Sequence, residues 1–91
     1  MKIHIETYNR LKFAILDKLH HKEMWENVYM PIERALKAVK GHDRGYAKDV
    51  VDDLRKDGLI FYHKNNTCVS LSSSKKPEIE AYLAENEGKF F

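Results

Sequence analysis

Six side chains here belong to the types that hold metals or act as nucleophiles: His4, His20, His21, His42, His63 and Cys68. Structural zinc sites gather such residues in close pairs, and most of these are scattered. His20 and His21 are adjacent, but neighbours on a regular helix point about 100° apart and cannot share one metal. The chain also lacks a glycine-rich phosphate loop, a G-x-S-x-G elbow and a paired-carboxylate pocket. No catalytic residue, metal or cofactor is therefore expected. Cys68 lies in a β-prone run and reads as a small packing residue.

A denser set of polar residues lies between positions 44 and 66. Arg44, Lys48, Arg55 and Lys64 are cations suited to phosphate, Asn65 and Asn66 carry amides, and Asp49 and Asp52 carry carboxylates. A carboxylate can accept from the amino group of cytosine, worth about 1–3 kcal/mol of discrimination. What positions them is an apolar stripe: Ala47, Val50, Val51 and Leu54 recur at i, i+3, i+4 and i+7. That stripe forces Gly45, Asp49, Asp52 and Lys56 to the opposite side. Arg44, Lys48 and Arg55 then run along one flank, with Tyr46 and Asp53 along the other. Two readings of the acidic residues stand. Asp49 and Asp52 read a ligand, or Asp49, Asp52, Asp53 and Asp57 only solvate an exposed helix, partly paired with Lys48, Arg55 and Lys56.

The flanking elements follow the same logic. Met1 to Glu6 is an arm or short strand, with Ile3 and Ile5 on one side. Thr7 is placed to cap a first helix carrying Leu11, Ile15 and Leu19, which His20-His21 end. Val28-Tyr29-Met30 is a short β-prone run, and Pro31 suits the first position of a second helix with Ile32, Ala35, Leu36 and Val39 inward. Gly41 is a natural left-handed cap, Gly41 to Gly45 the turn, and Gly58-Leu59 a Schellman ending for the helix that follows. Leu59–His63 and Thr67–Leu71 form a hairpin about Lys64-Asn65-Asn66, because Asn tolerates positive φ. Ile60, Tyr62, Val69 and Leu71 would face the core, with Phe61, His63, Cys68 and Ser70 outward. Ser72 to Lys76 is a polar linker, and Pro77 starts a last helix with Ile79, Tyr82 and Leu83 on its apolar edge. Trp25 either covers the edge of the core or stands exposed as a contact residue.

Composition sets the limits. The chain has 91 residues, 43% of them hydrophobic and 33% charged, which is one globular domain. Such a chain buries only about 60% of its unfolded surface, so a partner or a second copy would help its stability. No apolar run approaches the roughly 20 residues that cross a bilayer, so no membrane partner is expected. The N-terminus has no signal-peptide core, and the lone cysteine fits a reducing interior, so the expected location is cytoplasmic. A net charge of +2 permits nucleic-acid binding without demanding it.

The order helix, short strand, helix, helix, strand, wing, strand, helix resembles the winged helix-turn-helix family of small transcription regulators of prokaryotes, plasmids and viruses. The phrase Val50-Val-Asp-Asp-Leu-Arg-Lys-Asp-Gly-Leu-Ile60, with Val69-Ser-Leu71 behind it, carries the resemblance, which spans roughly residues 8 to 84. It implies an α+β fold with a three-helix core, a short strand before the second helix, a two-stranded wing and a C-terminal helix. Residues 1–91 would form one domain: an arm at 1–6, the helix-turn-helix at 31–58, the wing at 59–71, and a last helix and tail at 77–91. It further implies that the second helix of the pair enters the major groove and the wing meets phosphate or the minor groove. The expected contact residues are Arg44, Gly45, Tyr46, Lys48, Asp49, Asp52, Arg55, Lys64, Asn65 and Asn66. Two carboxylates in the reading face depart from the usual pattern of a DNA reader. The expected function is sequence-specific binding of double-stranded DNA by a homodimer, joined through the first helix, the last helix and Phe90-Phe91. No small-molecule effector is identifiable. The rival is a winged-helix module that binds protein.

Overall fold

The computed structural model describes residues 4–37, 39, 41 and 44–89, the Arg44 side chain excepted. Expectations placed on residues 1–3, on His42 and on Phe90-Phe91 lie outside the described residues. Among those described, the chain is α+β, with four helices and one three-stranded antiparallel sheet.

Helix α1 (Ile5–His21) begins earlier than a Thr7 cap would place it, so Ile5 and Glu6 belong to the helix and not to an arm. His4 is the cap. Its backbone is extended, and its Nδ1 accepts from the Glu6 N–H at 3.2 Å, the role a hydroxyl usually fills. Leu11, Ile15 and Leu19 are wholly buried, and Phe13, Ala14 and Leu16 broaden the stripe. Each such side chain contributes about 1.5–3 kcal/mol by leaving water.

Strand β1 (Met30–Pro31) pairs with β3 (Cys68–Leu71), Met30 opposite Val69 and Pro31 opposite Cys68. Proline has no N–H to give a ladder, so this strand must lie at an edge, and the order β1-β3-β2 puts it there. Pro31 is still extended (φ −59°, ψ 142°), and so caps helix α2 (Ile32–Ala35) instead of opening it. The helix is shorter than its apolar spacing suggests. It gives way to tight turns in which Lys37 N–H donates to Arg34 and Val39 N–H to Leu36, and it stops well before Gly41, which therefore does not cap it. Ala35, Leu36 and Val39 are nonetheless buried. Burial was set by the spacing, and helical backbone was not needed to achieve it.

Helix α3 (Arg44–Lys56) buries Ala47, Val50, Val51 and Leu54 and packs on α1. Its end is the expected Schellman turn. Gly58 has φ +77°, its N–H donates to the Arg55 carbonyl at 2.9 Å, and the Leu59 N–H reaches back to Leu54 at 3.0 Å. Strand β2 (Ile60–His63) follows and pairs with β3. Lys64, Asn65 and Asn66 all have positive φ (53°, 56° and 67°), and the Thr67 hydroxyl bonds the Lys64 carbonyl at 2.7 Å.

The hairpin faces differ from expectation on one strand. Ile60, Val69 and Leu71 are buried and Phe61 is exposed, but Cys68 and Ser70 are buried as well. The cause is topological: β3 is the central strand, and Met24–Glu26 runs alongside its end, the Leu71 N–H donating to the Met24 carbonyl and the Glu26 N–H to the Leu71 carbonyl. The Ser70 hydroxyl donates to the Glu26 carbonyl at 2.6 Å. Tyr62 is only half-buried. The supposed linker also has structure: Ser72 is buried, Ser73–Lys75 form a 3-10 turn, and helix α4 (Lys76–Asn86) starts one residue before Pro77. Ile79 and Leu83 anchor it to the core. Its outer ties are His20 to Glu80 at 2.9 Å and the Tyr82 hydroxyl to the Asn9 carbonyl at 3.3 Å. Trp25 is half-buried against the core edge, in contact with His20. Among the described residues, no helix is long and apolar enough to cross a membrane.

Gly58 carries a sharp expectation. A Cβ there meets only the Lys75 Cε at 3.6 Å, so space is adequate and backbone conformation decides. Gly58→Ala should lower unfolding free energy by about 1–2 kcal/mol in a urea titration. An unchanged midpoint would show that this turn does not depend on left-handed backbone.

Candidate functional site

The outward side of α3 is built by the burial of its inward side. Gly45, Tyr46, Lys48, Asp49, Asp53, Arg55 and Lys56 are exposed, with Tyr46 at 37% relative accessibility. Among the described residues, no ion pair engages Lys48, Asp49 or Lys56. The Arg44 side chain lies outside the described residues. The Lys64, Asn65 and Asn66 side chains are exposed at the hairpin tip, on left-handed backbone that asparagine tolerates and that costs a lysine roughly 1–2 kcal/mol.

Two depressions join helix to hairpin. One, about 460 Å³, is bounded by Ile32 and Leu36 from the α2 region, Ala47 and Lys48 from α3, and Tyr62 and Asn66 from the hairpin. The other, about 440 Å³, is bounded by Asp52, Arg55, Tyr62 and Asn66. Of the residues singled out from sequence, the structure thus brings Lys48, Asp52, Arg55 and Asn66 onto one continuous face. Gly45, Tyr46 and Asp49 share the helix but do not border either depression, and Lys64 and Asn65 stand at the tip beyond them.

Tyr62 links the two elements. Its hydroxyl donates to an Asp52 carboxylate oxygen, and the Arg55 guanidinium lies 5.8 Å from its ring centre. A charge-assisted bond of this kind contributes about 1 kcal/mol where water still reaches both groups. Asp52 is therefore half-buried and turned toward the hairpin, while Asp49 is left as the exposed carboxylate at the centre of the face. Sequence reasoning placed Tyr62 in the core and missed this bond. The available signal was a tyrosine late in a strand: an amphipathic ring whose polar tip needs a partner.

Other polar clusters are structural. The Ser70 hydroxyl has one proton, given to the Glu26 carbonyl, so the contact at 2.9 Å must be donated by His63 Nε2 to the Ser70 oxygen. A buried serine without a base for its proton is no nucleophile. His63 also stacks on Tyr29 at 4.3 Å between ring centres, fixing the strand to the segment before β1. Among the described residues, no three His, Cys, Asp or Glu side chains are grouped to hold a metal ion.

Burial pushes Tyr62 up to about 12, helped by its bond to Asp52 and that carboxylate's charge, with Arg55 opposing. Burial also pushes Tyr82 up to about 12, with a smaller contribution from Tyr8. Tyr8 itself is raised by burial, then by the charge and hydrogen bond of Asp53. A folded-state value above the unfolded one near 10 gives stability that is complete below pH 10 and lost as pH rises toward 12. The urea midpoint should fall across that window, and Tyr62→Phe with Tyr82→Phe should flatten the fall. An equally steep decline in the double variant would assign the alkaline loss to other groups.

Comparison with models of protein families, with curated proteins and with solved structures finds no match to this chain.

Proposed function

We propose that this chain is a non-enzymatic, sequence-specific double-stranded DNA-binding protein of the winged helix-turn-helix type, a small transcriptional regulator acting as a homodimer. In this reading α3 enters the major groove, and the Lys64–Asn66 turn is the wing tip that meets the backbone or the minor groove. One observation supports it: Lys48, Asp52 and Arg55 of α3 and Asn66 of the turn border adjoining depressions that share Tyr62 and Asn66, so helix and turn can meet one ligand together. The antiparallel order β1-β3-β2, with a short strand before the helix pair, agrees with such a fold.

Charge is the difficulty, and magnitudes show how it is met. With an effective dielectric near 20, a carboxylate about 4 Å from a phosphate is opposed by roughly 4 kcal/mol before salt screens it. Asp52 is partly withdrawn by Tyr62, which leaves Asp49 to be balanced by Lys48, Arg55 and Lys56 on the same helix. An Asp held in the groove away from phosphate is compatible with reading a cytosine amino group. The rival reading, a module that binds protein, draws on the apolar residues of the larger depression, Pro31, Ile32, Leu36 and Ala47.

Selection from a random duplex pool at near-physiological salt should enrich one motif. For a dimer, that motif is two-fold symmetric with half-sites about one helical turn apart. Lys48→Ala with Lys64→Ala should weaken binding at least tenfold, and each lost phosphate contact should flatten the log–log salt slope by about 0.9. Retention of no duplex even at low salt would leave protein binding as the better reading.

A further inference from the structure

The Tyr62 hydroxyl, the Asp52 carboxylate, the Arg55 guanidinium and Asn66 meet at one depression between α3 and the hairpin. Each is otherwise a routine surface residue. Together they determine what charge α3 presents. We infer that Tyr62 is a positioning residue of the DNA-binding surface: its hydroxyl holds Asp52 against the hairpin side of the depression, away from Asp49 on the outer line of α3, and its ring lies beside Arg55. The inference rests on the DNA-binding reading above and adds to it the device that lets an acidic helix approach a polyanion.

The geometry requires this division of labour. Asp52 lies opposite the buried stripe, where an unbound carboxylate would stand beside Asp49. Two adjacent carboxylates would repel phosphate and draw the neighbouring cations to themselves. The tyrosine hydroxyl is the donor the hairpin supplies, because Tyr62 sits on β2 with its ring half-buried and its oxygen on Asp52. It remains protonated across the physiological range, since burial and Asp52 hold it well above its ordinary value. Arg55 then sits with the ring on one side and the depression on the other. From there a planar fork of donors can address a guanine edge or a phosphate.

The test is a cycle of Tyr62→Phe, Asp52→Asn and the double variant. Tyr62→Phe keeps the ring and removes only the donor. Binding to the duplex enriched from the random pool is read by fluorescence anisotropy at two salt concentrations, with folding checked by far-UV circular dichroism. Tyr62→Phe should weaken binding about fivefold at low salt and less at high salt, as expected of a freed surface carboxylate. The same change made with Asp52→Asn should cost less than twofold, because no carboxylate is left to free. A purely structural tyrosine would cost the same in both backgrounds, and that result would overturn the inference. So would a Tyr62→Phe variant that binds as the parent does. Failure of the parent chain to bind any duplex would sink the DNA reading and this inference together, whereas parent binding with an additive cycle sinks the inference alone.

Discussion

The apolar seam between α1 and α3 is the contact on which the other elements depend. Leu11 and Ile15 on one helix and Val50, Val51 and Leu54 on the other all have no exposed surface, and they belong to the same buried cluster as Val69, Leu71 and Ile79. In a domain of this size total stability is about 5–15 kcal/mol, while truncating one such residue to alanine costs about 2–5. The seam therefore has no redundancy. It also fixes azimuth: once Val50 and Val51 point at α1, Lys48, Asp49 and Arg55 have nowhere to go but outward. The surface of α3 is a consequence of its core.

The sheet supplies the second constraint. The strands are short, and β3 is stabilised by being central, with β1 and the Met24–Glu26 segment along one side and β2 along the other. Ser70 is the pivot of that arrangement, bonded to a carbonyl from before β1 and to His63 from β2. These ties hold the strands of the hairpin, whereas its tip rests on three left-handed residues and one threonine hydroxyl. Firmly held strands with an exposed cationic tip are what let Tyr62 meet α3 at a fixed place.

Much of this was legible in residue spacing. The stripe from Ala47 to Leu54, the Gly58-Leu59 turn and the hairpin about Lys64–Asn66 all follow from local rules, and all three form where expected. What was not legible arises from pairing between distant segments. Alternation assigns Cys68 and Ser70 to solvent because it cannot know that β3 will be central or that the Glu26 carbonyl will meet the Ser70 hydroxyl. Periodicity makes α2 longer than it is because it reports burial, and tight turns can bury Leu36 and Val39 as well as a helix can. Thr7 gives way as the cap to His4, because an imidazole nitrogen can accept from the Glu6 N–H as a hydroxyl oxygen would. Within the candidate site, the helix face was readable and the Asp52–Tyr62 bond was not, because it joins residues on different elements.

The Asp52–Tyr62 bond changes how the charge of α3 is distributed. A tally of α3 finds Asp49, Asp52 and Asp53 against Lys48, Arg55 and Lys56 with the helix-opening Arg44, close to balance. A tally gives every charge equal weight, and the fold does not. Asp52 is turned onto a tyrosine hydroxyl, and Asp53 acts on Tyr8 at the α1 side, away from the hairpin. Lys48 and Lys56 have no ionic partner among the described residues, and Arg55 keeps its donors beside an open depression. Asp49 and Asp53 are the exposed carboxylates of the helix, and Asp49 is the one at the centre of its outer face. A field that sums near zero along the sequence therefore becomes uneven in space, with Lys48 and Arg55 at the depressions beside the hairpin and Asp52 held there on a hydroxyl. For a ligand carrying a regular row of charges, that local asymmetry governs approach more than the net charge of the chain, because contributions beyond about 8–10 Å are screened.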